Sequence, residues 1–185
     1  MRSAVVLLLS LVCMPAVGCG TTNSGDNKDG SVSPEQISQL ENELRQRPPL
    51  EAAHTQYEAA IRQMADRITA LVSGLTWTLD QNTWTGCGGN YARTSGKQVY
   101  QMAVFTGPIP EQNWPRAVQI VKDGAASYGA GNFGAVKDQP GDHDVYISGA
   151  DGVQFQLATQ KASTLTAKSD CRLSQTDTPT PASHP

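Results

Sequence analysis

The sequence predicts an α+β fold, in which a mainly antiparallel sheet of about four to six strands is covered on one face by helices and preceded by a helical N-terminal segment. Three observations lead to this class. Apolar residues recur at helical spacing over residues 34–74, the pattern changes to alternation at Leu75, and short turn-forming segments separate most of the later strands. Strands joined by hairpins pair antiparallel, and their apolar face has to pack against the apolar stripe of a helix.

The chain begins with a segment that we expect to be removed, a signal peptide of residues 1–18. Arg2 supplies a positive charge, and an apolar stretch of about eleven residues follows, which is too short to span a membrane. Gly18 and Cys19 complete the pattern of a bacterial lipobox, so we expect cleavage between them and lipidation of Cys19. An S-linked diacylglycerol and an N-linked acyl chain on Cys19 would anchor the protein to the extracytoplasmic face of the cell membrane. The alternative is an ordinary secretory signal with a chance cysteine.

A polar segment, residues 19–33, is rich in Gly, Asn and Asp and predicts a flexible tether. The first helix should begin directly after it, because Ser33 and Gln36 fit a capping box with Pro34 in the first turn. Pro48 and Pro49 should end this helix. Two i,i+4 charge pairs are expected on its exposed side: Glu41–Arg45 and Glu43–Arg47.

A second, longer helix is predicted from about Leu50 to Ser73, with Gly74 as its C-cap. Its apolar residues form one stripe at spacings of three and four: Tyr57, Ile61, Met64, Ile68, Leu71 and Leu75. We expect this stripe to pack on the protein's own sheet. The alternative is a seam for a partner helix.

The first strands follow this helix. Leu75–Asp80 alternates as a half-buried strand should, and Gln81-Asn82 predicts a turn. Lys97–Thr106 is apolar on both faces, which predicts a strand that is covered on both sides and lies centrally in the sheet. A third helix should begin near Asn113 or Pro115 and run to about Ser127.

The remaining strands are predicted at Asn132–Lys137 and Asp144–Ser148, with a hairpin turn at Asp151-Gly152. Val153 opens the clearest alternating strand. Ser163–Arg172 is the last one, and the alternation places Cys171 on its inward face. The expected organisation is a signal peptide (1–18), a tether (19–33), a helical segment (34–74), an α+β domain (75–173) and a disordered Thr/Pro-rich tail (174–185).

The charge of the chain argues against nucleic acid as a partner. The formal net charge is −3, and it becomes −4 once Arg2 leaves with the signal peptide. No basic cluster is present that would neutralise phosphates.

The four cysteines divide by position. Cys13 lies in the predicted signal peptide and Cys19 is the lipidation site. Cys87 and Cys171 remain in the domain, 84 positions apart, and an extracytoplasmic compartment favours a disulfide between them. Two free thiols are the alternative. Because no other ligands stand at metal-binding spacing, we expect no metal site.

Two local patterns suggest chemistry. Residues 129–134 match the G-x-G-x-x-G string of dinucleotide sites, but the string follows a helix and leads into a strand, which is the reverse of the required order. We therefore interpret it as a loop that ends a helix. Asp142, His143 and Asp144 could hold a cation or act as acid–base groups, although a charged turn before a strand explains them as well.

No nucleophile elbow, zinc-protease motif or phosphate-binding loop occurs, so we expect neither catalysis nor a cofactor. Cys87 lies in a glycine-rich loop where a nucleophile is conceivable, but a disulfide would remove that option. Trp77, Trp84 and Trp114 could line a ligand groove, although such residues more often pack in a core or at its rim.

The chain resembles the mycobacterial LppA-type lipoproteins over about residues 50–173. The residues that carry the resemblance are Gly18-Cys19, Trp77, the stretch from Trp84 to Cys87, Gly107-Pro108 with Asn113-Trp114, and the segment from Ser169 to Arg172. The resemblance implies a lipid-anchored envelope protein with an α+β domain. It brings no catalytic residues.

Three functional hypotheses remain. The first is a non-enzymatic envelope module that binds an envelope protein or glycan. The second is a lipid or glycolipid carrier, which would need an internal apolar cavity. The third is an enzyme, and it depends on His143.

Overall fold

The computed structural model describes residues 32–177, which form three α-helices and six strands. The helices are α1 (Pro34–Arg45), α2 (Leu50–Thr69) and α3 (Trp114–Ala126). The strands are β1 (Trp77–Gly86), β2 (Lys97–Phe105), β3 (Asn132–Gln139), β4 (Asp142–Ser148), β5 (Gln154–Thr159) and β6 (Ser163–Lys168).

The six strands form one antiparallel sheet in the order β1-β2-β6-β5-β4-β3. β1 and β2 form a hairpin, α3 leads to the far edge, and β3 to β6 return until β6 lies beside β2. α2 packs on β2 and β6, and α3 packs on β4 and β5. The predicted α+β class, with its antiparallel sheet and helices on one face, is confirmed.

The core lies between the two long helices and the sheet. Tyr57, Ile61, Met64 and Ile68 of the α2 stripe are buried there, so the stripe packs on the protein's own sheet, as we expected. The ring of Tyr57 stacks on Phe155, with ring centroids 5.6 Å apart. Neither α2 nor α3 packs on the opposite side of the sheet, which we call the uncovered face.

Helix α1 begins as its sequence predicts. The Ser33 hydroxyl accepts a hydrogen bond from the backbone N–H of Gln36 at 3.3 Å. The side-chain oxygen of Gln36 accepts one from the backbone N–H of Ser33 at 2.9 Å. Arg45 and Glu41 pair at 3.6 Å. The second predicted pair, between Glu43 and Arg47, is wrong because the helix ends at Arg45 and the Arg47 side chain turns toward the domain.

Strand β1 contains the clearest difference from the sequence-based prediction. The turn expected at Gln81-Asn82 is absent, since the strand continues through these residues to Gly86. The pairing with β2 shifts register between Leu79 and Gln81. This β-bulge inserts one extra residue and interrupts the alternation, which is why the sequence reads there like the end of a strand.

Strand β2 lies inside the sheet, between β1 and β6, but helices cover only one of its faces. Val99, Gln101, Ala103 and Phe105 are buried against the helices. The opposite face stays partly exposed and consists of Tyr100, Met102 and Val104. The expectation of a strand covered on both faces is therefore wrong.

Two predicted boundaries also move. Helix α2 ends at Thr69, and Gly74 lies in the following turns with φ +79°. The chain keeps defined structure beyond Leu173: the Ser174 hydroxyl donates to Glu51 at 2.6 Å, and Gln175–Asp177 form a 3₁₀ turn. The predicted signal peptide, most of the predicted tether and the rest of the tail lie outside the described residues.

Candidate functional site

Cys87 and Cys171 form a disulfide at one end of the sheet, with their Cα atoms 5.8 Å apart. The bond joins the end of β1 to the segment that follows β6. It is packed with Leu44 of α1 and Leu173 in a small second core. Gly96 lies directly against this bond, so any side chain at that position would collide with the Cys171 sulfur. The pairing favoured by the sequence is therefore present, and it is tightly packed.

A groove of about 600 Å³ opens to solvent beside this bond, and we call it the disulfide groove. One wall is the glycine-rich segment from Cys87 to Tyr91. The other wall is the β4–β5 connection from Ser148 to Gln154, and the strands contribute Gln98 and Lys168. Its volume lies in the range of about 300–1,000 Å³ that is typical of small-molecule sites.

Two glycines place backbone without side chains at the walls of this groove. Gly152 has φ +87° and packs against the Gln98 amide, so both its conformation and its surroundings exclude a side chain. Gly88 is different, because it has φ −102° and open space where a Cβ atom would stand. The groove is therefore bounded by backbone at both walls, and its shape can be changed at Gly88 without strain.

Arg47 connects the walls of the groove through hydrogen bonds. Its guanidinium donates to the Asp151 carboxylate at 2.8 Å, to the Tyr91 hydroxyl at 2.8 Å and to the Cys171 carbonyl oxygen at 3.2 Å. All three acceptors belong to residues that line the groove. One side chain from the loop between α1 and α2 thus fixes both walls and the disulfide relative to each other.

The Tyr91 phenol is held in its protonated form. Burial raises the pKa of Tyr91, Arg47 opposes that shift, and the carboxylates of Asp151 and Glu43 add to it. The protonated hydroxyl donates to Glu43 at 3.3 Å while it accepts from Arg47. Tyr91 therefore acts in the groove as a neutral hydrogen-bonding group.

His143 forms a separate polar cluster at the opposite end of β4. Its Nδ1 lies 2.8 Å from Asp138, its Nε2 lies 2.9 Å from Glu111, and its ring stacks on Trp114 with centroids 4.7 Å apart. The residue is only 7% exposed. Burial lowers the pKa of His143, but the hydrogen bonds and charges of Glu111 and Asp138 outweigh it, and the net pKa is raised.

This cluster corrects the interpretation of Asp142-His143-Asp144. The three residues begin strand β4 and do not form a turn before it, so His143 points toward the helices while its two neighbours point away. Its partners are Glu111, 32 positions away, and Asp138, which lies opposite it in the β3–β4 hairpin. Both ring nitrogens lie within hydrogen-bond distance of these carboxylates. Among residues 32–177 no group of three potential metal ligands is found.

The His143 cluster should make stability depend on pH. Folded His143 binds its proton more tightly than unfolded His143, so its contribution to the free energy of unfolding is full below the ordinary pKa of 6.5. That contribution is lost as the pH rises through the raised pKa of the folded state. Urea unfolding between about pH 5 and pH 9 should show this decline.

The matched variants are His143→Gln and Asp144→Asn. His143→Gln should abolish the decline above pH 6.5, whereas Asp144→Asn should retain it because Asp144 does not contact the ring. An unchanged decline in His143→Gln would show that other groups cause it.

The three tryptophans do not line the disulfide groove. Trp114 is buried under the His143 ring. Trp77 donates its Nε1 hydrogen to Asp66 at 2.8 Å. Trp84 is 53% exposed and lies beside His54, with ring centroids 6.2 Å apart. Trp114 is a core residue and Trp77 lies at the rim of the core, as the simpler interpretation held, whereas Trp84 is an exposed surface residue.

The predicted lipidation and cleavage residues, Cys19 and Gly18, lie outside the described part of the chain. The G-x-G-x-x-G string begins in the loop that ends α3, with Gly129 at φ +71°, and its last three residues begin β3, as its position between a helix and a strand indicated. No helix in residues 32–177 combines the length and the apolarity needed to cross a bilayer.

Of the residues that define the groove, Lys168 and Arg47 were not identified from the sequence. The alternation of β6 was enough to place Lys168 on the uncovered face, because Ala167 and Ser169 point inward. No local signal could have found Arg47, since its partners Asp151 and Cys171 lie 104 and 124 positions away.

Comparison with known proteins identifies the family. Residues 25–175 match the model of the LppA family, described as a lipoprotein confined to pathogenic Mycobacterium. Lipoprotein LppA of Mycobacterium tuberculosis is 27% identical over 180 residues, which cover 92% of this chain and 82% of LppA. Lipoprotein LppB of the same organism is 25% identical over 92% of this chain and 81% of its own length.

Solved structures support the same assignment. The crystal structure of LppA from Mycobacterium tuberculosis matches with a TM-score of 0.68 and 26% identity, covering 82% of this chain and 94% of that one. A DUF4853 family protein from Actinomyces odontolyticus matches with a TM-score of 0.50 and 15% identity over 73% of both chains, and this match concerns the fold alone. The family match covers most of the chain, and the chain belongs to the LppA family of lipoproteins.

Proposed function

We propose that this lipoprotein is a non-enzymatic binding module of the cell envelope, anchored through Cys19 on the extracytoplasmic face, and that it binds an envelope component in the disulfide groove. The observation that carries this proposal is the groove itself. Its walls are fixed by a disulfide and by Arg47, and its volume suits a small ligand. A site whose walls are already fixed loses little conformational entropy on binding.

The groove offers groups for binding rather than for catalysis. Its side chains include the amides of Asn90, Gln98 and Gln154 and the neutral phenol of Tyr91. The buried histidine of the domain lies in a different cluster, with both ring nitrogens occupied by carboxylates. Hydrogen-bonding groups without an activated nucleophile favour recognition.

The predicted anchor would keep the groove close to the membrane. Asn90 lines the disulfide groove and also a small cleft that contains Val32, the first described residue. The thirteen residues from Cys19 to Ser31 can span at most about 45 Å when fully extended. Ligands of this groove should therefore lie in the membrane-proximal part of the envelope.

The alternative of a lipid or glycolipid carrier has less support. Four hollows on residues 32–177 are all open to solvent, and the disulfide groove has a mixed lining of polar and apolar surface. A buried acyl chain needs an enclosed apolar cavity. Native mass spectrometry would identify a carrier by a lipid that stays bound in addition to the anchor.

Gly88→Trp should block the groove, because Gly88 lines it, no atom lies within 4 Å of a Cβ atom at this position and the backbone there is unstrained. We expect the full-length protein in detergent micelles to sediment with insoluble mycobacterial cell wall. Gly88→Trp should weaken this association by about tenfold or more, as occlusion of a central contact does.

Gly86→Trp is the matched control, since Gly86 is equally exposed and equally free of close neighbours but does not line the groove. It should sediment like the wild-type protein. Equal sedimentation of all three proteins, or none by the wild type, would contradict the proposal. Circular dichroism confirms that both variants are folded.

A further inference from the structure

Lys168 is an unpaired cation at the edge of the disulfide groove. Asp151 is the other charged residue that lines the groove, and it is neutralised by the ion pair with Arg47 at 2.8 Å. No carboxylate of the described residues forms an ion pair with Lys168. The groove therefore carries a local positive charge, although the whole chain has a formal net charge of −3.

Hydrogen-bonding groups surround this cation in a regular arrangement. Across the sheet, Lys168 is flanked directly by Tyr100 on β2 and by Gln154 on β5, and Ser148 on β4 continues the same row. These residues lie on the uncovered face. Ser148, Gln154 and Lys168 line the groove, and Tyr100 lies next to it. The ligand surface therefore consists of the groove and the adjoining end of this face.

Two amide side chains in the groove have no partner within the described residues. Those of Asn90 and Gln154 take part in none of the hydrogen bonds found there, whereas the next glutamine on the uncovered face, Gln156, donates to Asp144 at 2.6 Å. An amide offers both donors and an acceptor. This combination matches adjacent hydroxyl groups, which also donate and accept.

We propose that the disulfide groove binds an acidic saccharide. The Lys168 ammonium group faces its carboxylate, and the amides of Asn90 and Gln154 bind its hydroxyl groups. This inference rests on the proposed function, because it names the ligand class of the same groove. A neutral saccharide would leave the ammonium group without a counter-charge, and an acyl chain would leave both amides without partners.

The test compares two disaccharides that differ in one acidic group. The probes are N-acetylglucosaminyl-N-acetylmuramic acid, which carries a carboxylate, and chitobiose, which is neutral. Binding to the full-length protein in detergent micelles is measured by isothermal titration calorimetry. We expect the acidic disaccharide to bind about tenfold more tightly than chitobiose, which is the usual effect of one charge-assisted hydrogen bond.

Variants at two lysines assign that difference to the groove. Lys168→Gln should weaken binding of the acidic disaccharide about tenfold and leave chitobiose unaffected, and Lys168→Arg should keep most of the affinity. Lys161→Gln removes an exposed lysine from the turn between β5 and β6, at the other end of these strands, and should change neither affinity.

The outcomes separate this inference from the proposed function. If both disaccharides bind equally and Lys168→Gln changes neither affinity, the proposal of an acidic ligand is overturned, but the groove remains a saccharide site. Binding of neither disaccharide would also overturn the inference. In that case the sedimentation of Gly88→Trp and Gly86→Trp with cell wall decides independently whether the groove binds an envelope component.

Discussion

Replacement of Cys87 and Cys171 by alanine is expected to lower the free energy of unfolding by about 4–5 kcal/mol. The reason is the length of the closed loop, since the two residues are 84 positions apart. This loop contains β2 to β6 together with α3, so the bond restricts the part of the unfolded chain that forms five of the six strands. For a domain of this size the loss corresponds to a fall in Tm of roughly 10–20 °C.

The reduced wild-type protein is the matched control, because it keeps both sulfur atoms and loses only the cross-link. Cys171 is 1% exposed and packs with Leu44 and Leu173, so the alanine variant also loses some packing. Urea unfolding of both proteins separates the two effects. If reduction lowers the free energy of unfolding by less than about 1 kcal/mol, the loop-closure argument is wrong.

The fold could be predicted because its strongest signals are local. The α2 stripe repeats every three to four residues, and the alternation of β5 and β6 matches their burial residue by residue. Each pattern depends only on neighbours in the sequence, so no long-range information is needed. The Ser33–Gln36 capping box was found for the same reason.

The errors occurred where the local pattern is ambiguous. A bulge between Leu79 and Gln81 and a hairpin turn both interrupt alternation, and Gln81-Asn82 has the polarity of a turn. The choice between a bulge and a turn depends on the register in which β1 pairs with β2, and the sequence of β1 alone does not specify that register. In the same way, the side chains of Tyr100 and Met102 are apolar enough for burial, but no helix covers that face.

The candidate site could be predicted only in part. Cys87 and Cys171 were found because a disulfide follows from compartment and residue type. The partners of Arg47 and of His143 depend on tertiary structure, since Asp151 lies 104 positions from Arg47 and Glu111 lies 32 positions from His143. A charged residue in a sequence does not show whether its partner is solvent or a distant side chain.

Cys19→Ala is expected to abolish lipidation completely. The thiol of Cys19 is the predicted acceptor of the diacylglycerol, and alanine offers no nucleophile in its place. In an actinobacterial host fed with labelled palmitate, the wild-type protein should incorporate the label, and its mature N-terminus should be an acylated Cys19. The Cys19→Ala protein should incorporate none, and it should move from the detergent phase to the aqueous phase of Triton X-114 once the signal segment is removed.

Cys13→Ala is the control that makes this test specific. Cys13 is the other cysteine in the first eighty-six residues, and it lies inside the predicted signal peptide, so its replacement should leave labelling and phase behaviour unchanged. A diacylglycerol and an additional acyl chain bury many methylene groups, each worth about 0.8 kcal/mol, which makes the expected change in partitioning all-or-none. Label on Cys19→Ala, or an unmodified wild-type N-terminus, would place the attachment elsewhere and remove the argument that the disulfide groove works close to the membrane.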